Sequence, residues 1–366
     1  MLLSVVTGLL VLLGLVMILS ASSVSSFATY GSSFMYFKRQ VIGAVIGLVA
    51  FVFFLRLDYR HLRKVSIPLL IATMGMLVLV LIPGVGVVAG GSARWIPLGP
   101  FSFQPSELAK LALVIFAADV FSRKKEETFE ELSHTLIPML PVLVIYSGLI
   151  MLQPDLGTTL LVGAIGMGML FVAGAPLRYL LPLGVGGTGL ALAAALMEDY
   201  RRARILAFMD PWSDPLKNGY QTIQSLIALG SGGWFGVGLG ASRQKWLYVP
   251  NAHTDFIFAI LGEEMGLVGT FTVVGTFAFL VYLGVKTAQR AKDRFGMLIA
   301  SGITLWIALQ ALVNMGAVTA SLPITGVPLP LVSFGSTSLV ITLACMGILV
   351  NIAIQGRHGK RPSTSR

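Results

Sequence analysis

Ten apolar stretches, each long enough to cross a bilayer as a helix, dominate the chain and leave little else for it to fold into. About 20 residues span a hydrocarbon core, and only helices or closed barrels satisfy their backbone there. The stretches run over about 2–20, 40–55, 66–82, 106–121, 135–151, 156–173, 177–197, 256–285, 297–319 and 331–355. Only 11% of the 366 residues are charged, against roughly 25% in a soluble domain. A mean hydropathy of +0.85 excludes disorder. The single cysteine, Cys345, leaves neither a disulfide framework nor a cysteine-based metal site. The expected class is all-α: a polytopic integral membrane protein with ten transmembrane helices. The net charge of +10 would suggest nucleic acid in a soluble protein. Here it reads as orientation charge, with no nucleic-acid partner. Ser20-Ala21-Ser22 looks like a leader cleavage site, but the stretch before it has no cationic start, so it is expected to stay as a helix.

Ten spans place both termini on one side. The loops at 56–65, 122–134, 174–178 and 286–296, with the tail after 355, hold sixteen Lys and Arg; the opposite short loops hold three, Lys38, Arg39 and Arg94. Cationic short loops stay in the cytoplasm, so both termini are expected there. The chain then forms one membrane domain, 1–366, with a large extracytoplasmic loop, 198–255, between the seventh and eighth spans. That loop opens with Glu198, Asp199, Tyr200, Arg201, Arg202 and Arg204 and turns at Asp210-Pro-Trp-Ser-Asp-Pro215. Tyr220 to Leu229 reads as a short amphipathic helix ended by Ser231-Gly232-Gly233.

Ionisable groups inside a bilayer are costly, so each one is a functional candidate. Glu107 and Lys110 share a face of span four at i and i+3 and are expected to pair. The pair serves either to hold helices together or to line a polar cavity. Asp119 is expected to be a solvated end residue of the same span. Glu263 and Glu264 fall inside span eight, either shaping a cavity or packing. At its mouth stands His253-Thr254-Asp255-Phe256, where Asp255 is either a helix cap or a catalytic carboxylate. Gly90 to Gly99 reads as an ordered, non-helical loop, with Ser106 as the cap of span four. Its Arg94 suits either lipid anchoring or phosphate, and Asp155 has the position of a cap for span six. Arg94, Asp155, Arg201, Arg202, Arg204, Lys245, His253 and Asp255 all gather at the outer face, a cationic rim suited to an anionic lipid headgroup. No Walker sequence, zinc spacing or nucleophile elbow is present.

Five ordered motifs extend the reading. Gly91-Ser-Ala-Arg-Trp-Ile followed by Phe103-Gln-Pro-Ser-Glu-Leu-Ala-Lys110 resembles the SEDS family (shape, elongation, division and sporulation; RodA/FtsW-type). So do Gln153-Pro-Asp-Leu-Gly-Thr158, Ala252-His-Thr-Asp-Phe-Ile-Phe258 with Gly262-Glu-Glu264, and Leu322-Pro-Ile-Thr-Gly-Val-Pro-Leu-Pro-Leu331. Phe334-Gly335-Ser336 stands where the family usually has Tyr-Gly-Gly. The resemblance implies a peptidoglycan glycosyltransferase that polymerises lipid II at the outer face of the bacterial cytoplasmic membrane, for cell elongation or division. It implies a class B penicillin-binding protein as transpeptidase partner, with other elongation or division proteins. By motif, Asp255 matches the family's essential acidic residue, while Glu107 with Lys110, and Asp155, match other polar positions. Substrate-binding roles for Arg94, Arg201, Arg204, His253 and Glu264 follow from position. Asp210–Pro215 and Asn251-Ala-His253 lean toward division proteins; the short tails and Gly230-Ser-Gly-Gly233 suit elongation proteins.

Such chemistry needs a base for a sugar hydroxyl and positive charge for a diphosphate leaving group. Asp255 is the expected base. Arginine, lysine or a divalent cation (magnesium or manganese) would supply the charge, with no metal ligands identified. The alternative is a lipid II flippase, which requires polar groups through the bilayer depth rather than at one face.

Overall fold

The computed structural model describes residues 1–89, 92–99, 101–124, 136–246 and 248–358. Gly90 and Gly91 at the start of the expected non-helical loop, most of the 122–134 loop and the end of the cationic tail lie outside them. Among the described residues, eight helices have the length and apolar character to cross a membrane. They begin with α1 (Leu2–Tyr30), α2 (Met35–Arg56) and α3 (Leu62–Leu81) and continue with α6 (Leu156–Ala173) and α7 (Leu177–Leu196). The set ends with α10 (Ile257–Gln289), α11 (Arg294–Val318) and α12 (Ser336–His358). Two further apolar helices match the remaining expected stretches. These are α4 (Pro105–Ser122), which carries Glu107, Lys110 and Asp119, and α5 (Leu140–Met151), short at 12 residues.

One segment departs from the expected all-helical chain. The loop before α4 folds into a small antiparallel sheet in the order β1 (Val87–Ala89), β2 (Ser92–Leu98) and β3 (Phe101–Phe103). Backbone polar groups near a bilayer need partners, and pairing with themselves supplies them. The segment 198–255 contains α8 (Asp199–Met209), a helix with no expectation attached to it, and α9 (Tyr220–Ser231), where the amphipathic helix is expected.

α4, α11 and α12 form the centre; α4 buries residues on every face, including Glu107, Lys110 and Asp119. α12 packs most extensively on α2, and small residues let them close. A Cβ on Gly43 would stand 3.1 Å from the Ser336 backbone. Such small-residue contacts replace the hydrophobic effect, which lipid cannot supply between helices. α7 lies at the periphery, with only Leu180 and Ala195 buried.

Candidate functional site

Asp255 sits where the 198–255 segment enters α10, and it does not cap that helix. Phe256 occupies the cap position without a side-chain bond, and Asp255 Oδ1 instead accepts from Thr254 Oγ1 at 2.5 Å. Its backbone is fixed from two sides. Asn314 Nδ2 on α11 donates to the Asp255 carbonyl (2.8 Å), and the Phe334 amide donates to the His253 carbonyl (2.9 Å). Gly326, at φ 72°, faces the carboxylate: a Cβ there would lie 3.8 Å from Asp255 Oδ2. Arg204 on α8 is within electrostatic reach of Asp255, and its Nη1 donates to the Ile324 carbonyl at 3.4 Å. Burial raises the Asp255 pKa above the usual carboxylate value, against the lowering pull of Thr254 and Arg204. The His253 ring lies tilted against Tyr36 at 4.5 Å and edge-on to Phe334 at 5.5 Å, centroid to centroid. Burial pushes its pKa down to about 4, so the ring is neutral near pH 7.

The segment 322–331 joins this centre to the intramembrane pair. Lys110 Nζ donates to Glu107 Oε1 (2.7 Å) and to Gln310 Oε1 (2.9 Å), and it lies 4.8 Å from the Trp306 ring centroid. The expected Glu107–Lys110 pair is therefore formed. Gln310 Nε2 donates to the Pro328 carbonyl and Asn314 Nδ2 also to the Val327 carbonyl, both at 2.9 Å. Hydrogen bonds, joined through the Val327-Pro328 backbone, thus link α4 by way of α11 to the backbone carbonyl of Asp255. Along this link Ser106 Oγ, Glu107 Oε2, Asn314 Oδ1 and Thr325 Oγ1 are buried without a partner in the structure. Buried polar atoms seldom stay unpaired, so this interior is equipped for substrate hydroxyls or water. Ser106 is not the expected cap: Pro105 takes the first helical position and draws Ser106 into the helix behind it.

Arg94 and Asp155 come together at the start of α6. Asp155 caps the helix, accepting from the Thr158 amide (3.1 Å) and hydroxyl (2.9 Å). Arg94 donates to the Gln153 and Pro154 carbonyls at 3.1 and 2.5 Å and lies 3.6 Å from Asp155. Its guanidinium is engaged with this turn. Arg201 donates to the Ala194 carbonyl (3.1 Å) and, with Glu198, borders a lateral cleft of about 670 Å³ walled by Val144, Ile145, Leu149 and Leu152. Glu264 is placed elsewhere: it is buried with Ser20 and Lys245 beneath the loop that follows α9. Asp119, expected to be solvated, is buried among Arg63 (3.3 Å), Arg123 (2.8 Å) and Ser66 (2.7 Å). Its partners come from α3 and from the turn beyond α4, which a reading of span four alone does not reveal.

Gln310 and Asn314 carry no charge, so a search for ionisable residues inside spans passes over them. Two amides at i and i+4 in an apolar helix carry the same signal of costly burial. Among the described residues no three His, Cys, Asp or Glu side chains cluster as a metal site.

The FtsW/RodA/SpoVE family model, described as a cell cycle protein, matches residues 1–358. A probable peptidoglycan glycosyltransferase FtsW of Geobacter metallireducens is 42% identical over 340 residues, 93% of this chain and 90% of that protein. Stage V sporulation protein E of Bacillus subtilis is 42% identical over 359 residues, 98% of both chains. A solved structure concerning coordination of polymerization and crosslinking by a peptidoglycan synthase complex contains a similar chain. It has a TM-score of 0.79 and 31% identity, over 96% of this chain and 97% of that one. The rod shape determining protein RodA of Thermus thermophilus matches with a TM-score of 0.71 and 29% identity, over 96% of each chain. With the five motifs in place and the match running from the first residue to the end of α12, the chain belongs to the FtsW/RodA/SpoVE family of SEDS proteins.

Proposed function

We propose that the protein is a peptidoglycan glycosyltransferase that joins lipid II disaccharide units into glycan strands at the outer face of the cytoplasmic membrane. Relatives at 42% identity carry the glycosyltransferase name. The observation that carries the site is Asp255: a carboxylate of raised pKa, within electrostatic reach of Arg204, on a residue whose backbone carbonyl is held by Asn314. In this reading Asp255 accepts the proton of an acceptor sugar 4-hydroxyl as its oxygen attacks the donor's anomeric carbon. A raised pKa makes the carboxylate a stronger base. The lipid diphosphate leaves with inversion, its charge offset by Arg204 and by Arg201 at the rim of the apolar cleft, which suits a prenyl chain. A magnesium or manganese ion, if bound with the substrate, would add charge stabilisation at the diphosphate; among the described residues no three His, Cys, Asp or Glu are grouped to hold one.

Counting α4 and α5 with the eight gives ten spans and puts both termini on one side, which the cation bias assigns to the cytoplasm, with 198–255 outside. A class B penicillin-binding protein is the proposed partner, on the strength of a similar chain in a peptidoglycan synthase complex. The flippase alternative is not favoured, since relatives at 42% identity are named as probable peptidoglycan glycosyltransferases. Purified protein incubated with lipid II in detergent, without any partner, is the test. Glycan chains support the proposal; unchanged lipid II from an intact, monodisperse protein rejects it.

A further inference from the structure

The loop after α9 carries Trp234, Phe235, Val237, Leu239 and Trp246, all exposed, with Tyr248 just beyond. Trp234 is 69% and Phe235 84% exposed. An exposed run of this kind marks an interaction surface, and here it is held firmly. Glu263 accepts from the Ser242 hydroxyl and from the amides of Arg243 (2.9 Å) and Gln244 (3.3 Å). Glu264 accepts from Ser20 Oγ on α1 (2.5 Å), with Lys245 Nζ 3.7 Å away. The backbone is grafted as well. The amides of Val237 and Gly238 donate to the carbonyls of Glu263 and Glu264, while the amides of Leu267 and Val268 donate to the carbonyls of Gly233 and Trp234. Four bonds to the loop thus stand where α10 would have used its own i−4 ladder. Gly266 permits this: its φ of 66° and ψ of −164° break the helix, and a Cβ there would lie 2.6 Å from the Trp234 carbonyl.

The break also marks a depth. Before it, Ile257 to Glu264 are buried in protein. After it, α10 exposes Leu267, Val268, Phe271, Val274, Phe279 and Val285. From Leu267 to Lys286 the helix rises about 29 Å, close to the roughly 30 Å hydrocarbon thickness. Lys286, bonded to the Tyr282 hydroxyl at 2.7 Å, puts a cation and an amphipathic aromatic at the far end of that stretch. The Gly266 break therefore falls at the boundary on the Asp255 side, and the loop grafted there shares that depth.

We propose that residues 232–246 are an interfacial anchor whose partner is the bilayer itself. Trp234 and Phe235 enter the edge of the hydrocarbon, continuous with the exposed face of α10, and Trp246 and Tyr248 lie among the headgroups. Aromatic side chains favour that zone because one end is apolar and the other polar. The anchor fixes the height at which the chain, a few residues later, presents His253 and Asp255 to a lipid-borne headgroup. Which leaflet is involved rests on the orientation proposed above; the depth does not. The test is spin labelling of the full chain in phosphatidylcholine–phosphatidylglycerol vesicles, at Phe235→Cys, Phe271→Cys and Lys217→Cys. Cys345 is buried, and labelling of the unsubstituted protein checks that it stays silent. The label at 235 is expected to favour collisions with oxygen over a water-soluble nickel chelate, shifted toward the value at 271. A value equal to that at 217, an exposed lysine of the same segment, would overturn the anchor and leave a face for water or a protein. If the 235 variant does not stay monodisperse, Trp234→Cys carries the same comparison with the same two outcomes.

Discussion

Removing Lys110 alone is expected to harm the protein more than removing Lys110 and Glu107 together. Lys110 is 1% and Glu107 3% exposed, and the ammonium bonds both Glu107 and Gln310. Lys110→Met leaves a carboxylate enclosed with Oε2 already unpaired and Oε1 newly so. Breaking a buried pair from one side costs about 3–5 kcal/mol. In Glu107→Gln with Lys110→Met no charge remains, and Gln310 Oε1 keeps its bond from Trp306 Nε1 (2.7 Å). What is lost is then a hydrogen bond or two, about 1 kcal/mol each. The double variant should thus recover about 2–3 kcal/mol, read as a higher Tm and a larger monodisperse fraction after heating in detergent. A double variant no more stable than Lys110→Met would refute the simple pair.

Three further outcomes are expected. A cysteine at Ser213 should react with an impermeant reagent in intact cells while one at Ser122 does not; labelling of Ser122 alone would invert the topology. Asn314→Leu removes the donor to the Asp255 and Val327 carbonyls. Misplacing a catalytic group by about 1 Å can lower a rate up to about 10²-fold, so kcat should fall while KM changes little, and an equal loss in both would point to general damage. Polymerisation should decline as pH falls through the Asp255 pKa, because a base acts only when deprotonated. Since burial raises that pKa, the decline should begin above the usual carboxylate range. A rate that stays flat down to the ordinary value near pH 4 would contradict the raised pKa.

Much of the architecture is legible in local pattern. Apolar length gives the helices, i,i+3 spacing gives Glu107–Lys110, and a polar residue ahead of an apolar run gives Asp155 as a cap. What stayed hidden depends on partners far along the chain. Glu264 reads as either a cavity or a packing residue until Ser20, 244 positions away, and the Lys245 loop close over it. Asp119 reads as solvated until α3 brings Arg63 and Ser66 to it. Asp255 has the sequence position of a cap, yet the helix starts one residue too late for it to serve. The short sheet before α4 has strands of 3, 7 and 3 residues, too brief for an alternating pattern to stand out.

The central claim is that Asp255 is the base of a polymerase, and one substitution measures it. Asp255→Asn keeps the size of the side chain and can still bond Thr254, but it cannot take a proton from a sugar hydroxyl. Loss of a general base lowers a rate about 10²–10⁴-fold. The purified variant, matched to the parent in Tm and in binding of lipid II, is expected to make no detectable glycan from lipid II. Glycan formation at a rate near that of the parent, by a variant equally folded and equally able to bind, would contradict the account.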